Sequence, residues 1–189
     1  MLYILAGRFK NHKILSPKGL ETRPTTSKLR ESLFNICQNY IEDACFLDVF
    51  AGSGAMGIEA LSRGAKQVTF IDESRESIRC IRENLRSLGV ENRGYPLLGQ
   101  AFEMMDKLNK QQQKFDIIYM DPPYGIEGLA VKLIKRIDEG LLLKPQGMLF
   151  IEESKTALID KEGWHTLRLK SARKMGRSQL LQFEQMSEL

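Results

Sequence analysis

Apolar positions along the chain follow two alternating rhythms. Short apolar runs at residues 46–50, 67–71, 95–98, 115–120 and 147–152 have the length of buried strands, and Val, Ile and Phe enrich the first, second and fourth. Between them, apolar residues recur three or four apart. One helix runs to about Arg63, and Ile78, Ile81, Leu85 and Leu88 mark a second that Gly89 stops. Two more are predicted over about 102–110 and 127–139. Five such βα units predict a buried parallel sheet with helices on both faces.

The two ends break this rhythm. Residues 2–6 and 12–16 predict two short strands about a polar turn containing Lys10 and Asn11, followed by a loop through Pro17, Gly19 and Pro24. Leu29, Leu33, Ile36, Cys37 and Tyr40 then predict an amphipathic helix over 26–41. At the other end, residues 164–170 and 179–185 predict an antiparallel hairpin at the sheet edge, joined by a basic turn. The expected fold is α/β and Rossmann-like, with a mostly parallel seven-stranded sheet, an antiparallel C-terminal strand and a small N-terminal β-hairpin. It divides into an N-terminal extension over 1–25 and a larger domain over 26–189.

Composition narrows the class. The 189 residues are 42% hydrophobic, enough for one buried core and too few for two full domains. No apolar run approaches the roughly 18–20 residues that span a bilayer, and the N-terminus lacks the basic lead of a signal peptide. Three cysteines without Cys-x-x-Cys spacing and two histidines disfavour a disulfide framework or a metal centre. A cytoplasmic protein without metal or membrane association is expected. The net charge of +4 is modest, but its distribution is not. Arg8, Lys10, Lys13, Lys18, Arg23, Lys28 and Arg30 face one acid in the first 30 residues, and Arg168, Lys170, Arg173, Lys174 and Arg177 face none over 164–178. Cations gathered at both ends suit a polyanionic partner or, equally, two solvated surface segments.

Two motifs carry candidate chemistry. Asp48-Val49-Phe50-Ala51-Gly52-Ser53-Gly54-Ala55-Met56-Gly57 follows a strand, opens a helix and satisfies Gly-x-Gly-x-x-Gly. Its glycines allow a tight turn and close ligand approach, and Asp72, with Glu73 beside it, is placed to receive ribose hydroxyls. Nicotinamide dinucleotides and S-adenosylmethionine share this outline. Asp48 favours the second, because an acid there suits the ammonium of a methionine moiety and not a pyrophosphate. The other motif, Asp121-Pro122-Pro123-Tyr124, ends the fourth strand at the expected switch point of the sheet. An aryl amine is a poor nucleophile because its lone pair is delocalised. The Asp121 carboxylate and the Pro122 carbonyl, both accepting from the N–H groups, would localise that lone pair for attack on a sulfonium methyl. The prolines stiffen the loop, and Tyr124 offers a flat face to the base.

These motifs and their flanks resemble the RsmD family of bacterial 16S rRNA guanine-N2 methyltransferases over nearly the whole chain. The resemblance runs from Leu5-Ala6-Gly7-Arg8-Phe9-Lys10 through Leu20-Glu21-Thr22-Arg23-Pro24-Thr25-Thr26 and Leu29-Arg30-Glu31-Ser32-Leu33-Phe34-Asn35 to both motifs. It implies a class I methyltransferase fold with S-adenosylmethionine as cofactor and S-adenosylhomocysteine as product. The implied reaction is transfer of one methyl group to a guanine N2 of 16S rRNA, in the small subunit or its assembly intermediate, by a monomer. The cofactor residues it implies are Asp48, Ala51, Gly52, Ser53, Gly54, Asp72, Glu73, Gln100 and Ala101. Gln100 stands where many class I enzymes carry Asp, and its amide can still pair with adenine. By the same analogy Arg8, Lys10, Lys13, Arg23, Arg30, Arg173 and Lys174 grip RNA, the N-terminal segments also shaping the cofactor entrance.

Other readings remain open on sequence. Asp-Pro-Pro-Tyr does not separate guanine N2 from adenine N6 or from another rRNA guanine, and a non-catalytic RNA-binding assembly factor would keep the fold. A nicotinamide-dependent oxidoreductase is disfavoured by the lack of Tyr-x-x-x-Lys. His12 and His165 read as surface or packing residues, Cys80 as core, and Trp164 as packing at the start of the tail hairpin.

Overall fold

The computed structural model describes residues 2–17, 27–123, 125–140, 142–155, 159 and 163–186. The elements follow in order as β1 (Leu2–Tyr3), β2 (Lys13–Ile14), α1 (Ser27–Cys37), β3 (Cys45–Val49), α2 (Ala55–Ser62), β4 (Gln67–Asp72), α3 (Arg75–Ser87) and β5 (Gly94–Leu98). They continue as α4 (Ala101–Lys110), β6 (Phe115–Met120), α5 (Leu129–Asp138), β7 (Leu143–Ser154), β8 (Leu167–Met175) and β9 (Ser178–Gln185). Seven strands form one sheet in the order β5-β4-β3-β6-β7-β9-β8, and β1 pairs with β2 apart from it. From β5 to β7 the pairing is parallel, while β9 lies antiparallel to both β7 and β8. This is the expected architecture. Strand growth reverses between β3 and β6, so the carboxyl ends of these two neighbours open a crevice.

Burial on both faces explains why the central strands read as continuous apolar runs. Phe46, Ile117 and Tyr119 face the layer of α1, α2 and α3, whereas Leu47, Val49, Ile118 and Met120 face α4 and α5. Cys37 and Cys80 are buried as free thiols, and burial pushes Cys37 up to about 12, far from reactive.

The N-terminal strands are shorter than the expected 2–6 and 12–16, and the reason is local. Only Leu2–Ile14 and Tyr3–Lys13 pair as a ladder. Ile4 still bonds across the hairpin, donating to the His12 carbonyl at 3.0 Å and accepting from Asn11 N at 2.9 Å, but the donors beyond it are diverted to α2: Leu5 N and Ala6 N reach the two Glu59 carboxylate oxygens at 2.8 and 3.0 Å, and Phe9 N reaches Ser62 Oγ at 2.9 Å. Leu2, Ile4, Phe9 and Ile14 join the core on this face.

Arg30 corrects an expectation. Placed by resemblance among RNA-gripping residues, it is 0% exposed, 3.7 Å from Glu59 and donating to the Tyr3 carbonyl at 2.9 Å. Desolvation lowers its pKa against the opposing pull of Glu59. A guanidinium sealed under the hairpin cannot meet a phosphate. It ties α1 to α2 and to the N-terminal strand. Lys13 and Lys10 are exposed, and Arg8 is exposed with its guanidinium 5.5 Å over the Phe9 ring. Arg23 lies outside the described residues.

The tail hairpin forms as expected, but β8 continues through Met175, so Arg173 and Lys174 belong to the strand and the turn is Gly176–Arg177. Trp164 packs edge-on against Phe183 with ring centroids 6.1 Å apart. Asp138, at the end of α5, secures the entry to β8. Its carboxylate accepts from the backbone N–H groups of His165, Thr166 and Leu167 at 2.7–2.9 Å and from the Thr166 hydroxyl. Burial works to raise this carboxyl, and these donors outweigh it, holding it below the usual range.

Asp138→Ala should therefore destabilise the protein by on the order of 2–4 kcal/mol at pH 7, read from urea unfolding, because buried donors lose their acceptor. A depressed folded pKa contributes stability above the unfolded value of about 3.9 and loses it as pH falls through the folded one. The gap between parent and variant should accordingly narrow in acid.

Candidate active site

The crevice at the carboxyl ends of β3 and β6 is built from β3 outward. After Val49 the chain turns through Phe50 at φ 63°, Gly52 at φ 55° and Gly54 at φ 77°, then enters α2. Gly57 has a different task from these turn positions: a methyl group there would collide with the Phe70 ring and with Val68 on β4. Its absence lets α2 lie directly on the sheet. At Gly52 nothing lies within 4 Å of where a Cβ would stand, so the turn presents bare backbone to open space.

Two carboxylates hold this turn. Asp48 is 1% exposed, and its Oδ2 accepts from Gly57 N in the first turn of α2 at 2.9 Å, fixing helix to strand. Asp72, at the end of β4, accepts from Gly52 N and Ser74 N, one on each oxygen, both at 2.8 Å. Each of its oxygens retains a second lone pair for a ligand hydroxyl. Asp121 follows β6, its backbone N donating to the Val49 carbonyl at 3.4 Å, which sets it beside the end of β3. Burial raises the Asp48 carboxyl well above its ordinary value; the Gly57 hydrogen bond opposes this, and the negative fields of Asp121 and Asp72 add to it. Three carboxylates thus gather around one glycine turn. Among the described residues, no group of three or more His, Cys, Asp or Glu side chains is arranged to hold a metal ion.

The remaining sequence candidates fall around this centre. Ala51 and Gly54 are buried in the turn, and Ser53 is half-buried. Glu73 is exposed directly after Asp72. Gln100 is exposed as the residue that caps α4, with no side-chain capping bond, and Ala101 is buried behind it. Pro122 is buried next to half-buried Asp121, while Tyr124 lies outside the described residues. His12 and His165 are both exposed and stand in the two hairpin regions.

Sequence reasoning missed the residue that joins hairpin to glycine turn. Asn84 is buried on α3; its Nδ2 donates to the carbonyls of Leu15 at 3.0 Å and Ser53 at 3.1 Å, and its Oδ1 accepts from Leu15 N at 2.8 Å. The available signal was an amide on the apolar stripe of Ile81, Leu85 and Leu88.

The buried Asp48 carboxyl makes the stability of the protein depend on pH. A raised folded pKa contributes stability below the unfolded value of about 3.9 and loses it as pH rises through the folded one. Asp48→Asn keeps an acceptor for Gly57 without a buried charge. It should raise the melting temperature at pH 7 and flatten its dependence on pH above about 4. An unchanged or lower melting temperature at pH 7 would show that the charge is already compensated.

Comparison with known proteins agrees with this architecture. The family model described as "Conserved hypothetical protein 95" matches residues 2–184. Ribosomal RNA small subunit methyltransferase D of Haemophilus influenzae is 35% identical over 171 residues, covering 89% of this chain and 87% of that protein. The protein of the same name from Escherichia coli is 33% identical over 149 residues, covering 79% and 73%. The solved structure of "Putative methyltransferase yhhF from Escherichia coli" superposes with a TM-score of 0.84 at 26% identity, covering 99% of both chains. With nearly the whole chain matched, and the motif-bearing crevice among the matched residues, this protein belongs to the RsmD family of rRNA methyltransferases.

Proposed function

We propose that this chain transfers a methyl group from S-adenosylmethionine to the N2 amine of a guanine in 16S rRNA, within the small ribosomal subunit or its assembly intermediate. The observation that carries the reading is the convergence of Asp48, Asp72 and Asp121 on a glycine turn with open space at Gly52. Such a negative pocket suits a ligand with cationic ammonium and sulfonium centres and repels a pyrophosphate. Relatives named as small-subunit rRNA methyltransferases support RNA as the substrate class.

In this reading Asp48 and the backbone from Ala51 to Gly54 hold the methionine portion, Asp72 and Glu73 the ribose, and Gln100 and Ala101 the adenine. The bound cofactor supplies an electrophilic methyl on sulfur. Asp121 and the Pro122 carbonyl accept hydrogen bonds from the guanine amine, drawing its nitrogen towards tetrahedral geometry so that its lone pair points outward. Burial of Pro122 beside the anchored Asp121 amide keeps both acceptors in place beforehand. Tyr124 gives the base a flat face. The guanine must leave its stack to enter, which favours a loop nucleotide.

Asp121→Ala should lower turnover by about 100-fold or more while S-adenosylmethionine affinity, measured by calorimetry, stays within several-fold. Turnover equal to the parent would remove the acceptor role. Asp48→Asn should show the opposite split, binding cofactor about tenfold or more weakly through loss of a charge-assisted hydrogen bond. Nucleoside mass spectrometry of small-subunit rRNA from cells with and without the protein identifies the product. N2-methylguanosine that appears only with the protein is expected, and N6-methyladenosine in its place would reject the guanine assignment.

A further inference from the structure

Sheet direction divides the cations of the C-terminal hairpin into two groups. Because β9 is antiparallel to β7, Ser178 pairs with Ser154, and Lys155 N donates to the Arg177 carbonyl at 3.2 Å. The β8–β9 turn therefore stands at the carboxyl end of β7. Since β7 is parallel to β6, that is also the end that carries Asp121. One residue past the Met120–Ile151 pair, Glu152 is matched with Leu180 and Leu180 with Arg173, placing Arg173 level with Asp121 across the sheet. Counting strands at roughly 4.8 Å and residues at roughly 3.3 Å, the backbones of Lys155, Arg173, Lys174 and Arg177 lie on the order of 10–15 Å from Asp121.

The two halves of β8 differ in how their charges are answered. Far from the crevice, Arg168 and Lys170 each reach Glu184 at 3.0 Å, and their hydrogen bonds hold its carboxyl below the usual range. Near the crevice, Lys155, Arg173, Lys174 and Arg177 are exposed and take part in no ion pair among the described residues. Among the described residues, the neighbouring acids are occupied: Glu152 is buried and accepts from the Tyr119 hydroxyl at 3.3 Å, and Glu153 accepts from Ser154 N at 2.6 Å. Four neighbouring cations unpaired among the described residues repel one another in the free protein and call for an anionic partner.

The N-terminal cations are placed otherwise. Arg8 N binds the Ser62 carbonyl at the C-terminus of α2, an eight-residue helix about 12 Å long, so the hairpin turn sits at the end of the sheet away from Asp121. Arg8 and Lys10 are thus more distant from the chemistry than the C-terminal tip.

We propose that the β8–β9 tip, with Lys155 and Arg177 joining Arg173 and Lys174, is the phosphate clamp that seats the RNA strand beside the target base. This rests on the reading of the chain as an RNA methyltransferase. Lysines and arginines on a strand edge contact phosphates in any sequence, so the clamp positions the strand and leaves base choice to the crevice.

The test compares the parent with the triple variant Lys155→Gln/Lys174→Gln/Arg177→Gln, all exposed positions without ion-pair partners among the described residues. A control, Lys107→Gln/Lys110→Gln/Lys114→Gln, makes the same charge change at the opposite end of the sheet. Binding of a single-stranded RNA 20-mer is titrated across salt concentrations, and methylation of small subunits from cells lacking the protein is followed in parallel. The clamp variant should bind RNA on the order of tenfold or more weakly near 0.15 M salt, with the log–log salt slope reduced by about 2. Its KM for subunits should rise with kcat and S-adenosylmethionine affinity unchanged, and the control should stay within about twofold to threefold. An RNA affinity and salt slope equal to the parent, or equal losses in both variants, would overturn the clamp. So would unchanged RNA binding accompanied by lost binding to phosphatidylglycerol vesicles, which would mark a membrane surface instead. A parent that binds the 20-mer but methylates no guanine N2 would reject the proposed reaction and leave the clamp standing.

Discussion

A carboxylate removed from water, Asp48, sets the geometry on which this molecule depends. It emerges from the middle of the sheet and receives the Gly57 amide, so strand β3 and helix α2 meet at a fixed angle. Gly57 permits the contact because any side chain there would strike Phe70 and Val68. The turn between them has little freedom left, and the Gly52 amide completes it by binding Asp72. The cost is a buried group whose ionisation is opposed by desolvation and by two neighbouring carboxylates. Such a cost is typical of binding sites, where a strained electrostatic arrangement in the free protein becomes favourable once a cation arrives.

The N-terminal hairpin extends this constraint outward. Glu59 on α2 gathers backbone donors from Leu5 and Ala6 together with Arg63 and the buried Arg30. Asn84 on α3 then secures Leu15 to the Ser53 carbonyl in the glycine turn. A segment with only two ladder pairs of its own is thereby fastened to the helices that flank the glycine turn. Its hold on the protein comes from side-chain acceptors on those helices more than from its own strand pairing.

Sheet direction organises the charge as well as the chemistry. Parallel strands place Asp121, the glycine turn and the last residues of β7 at one end, and the antiparallel β9 returns the hairpin tip to that same end. One strand can then carry compensated cations at one extreme and, at the other, cations unpaired among the described residues. The first group supports the sheet edge through Glu184. The second faces the rim, where the proposed substrate must pass.

The sequence by itself determined the alternation of strands and helices, the parallel sheet, the glycine turn with Asp72 at the following strand end, and the placement of Asp121 at the switch point. These were legible because each depends on local periodicity or on short spacing, and strand order in such sheets obeys strong topological rules. The family was legible for the same reason, since its motifs are contiguous. Only the tertiary structure decided which charges meet solvent. Arg30 and Arg173 look alike along the chain, yet one is sealed against Glu59 and the other stands on an edge strand. Likewise Asn84 and Asp138 are ordinary polar residues in sequence, and their roles come from backbone groups 69 and 27 residues away. Periodicity reports which face of an element is buried, whereas the partner of a buried polar group depends on how distant segments dock.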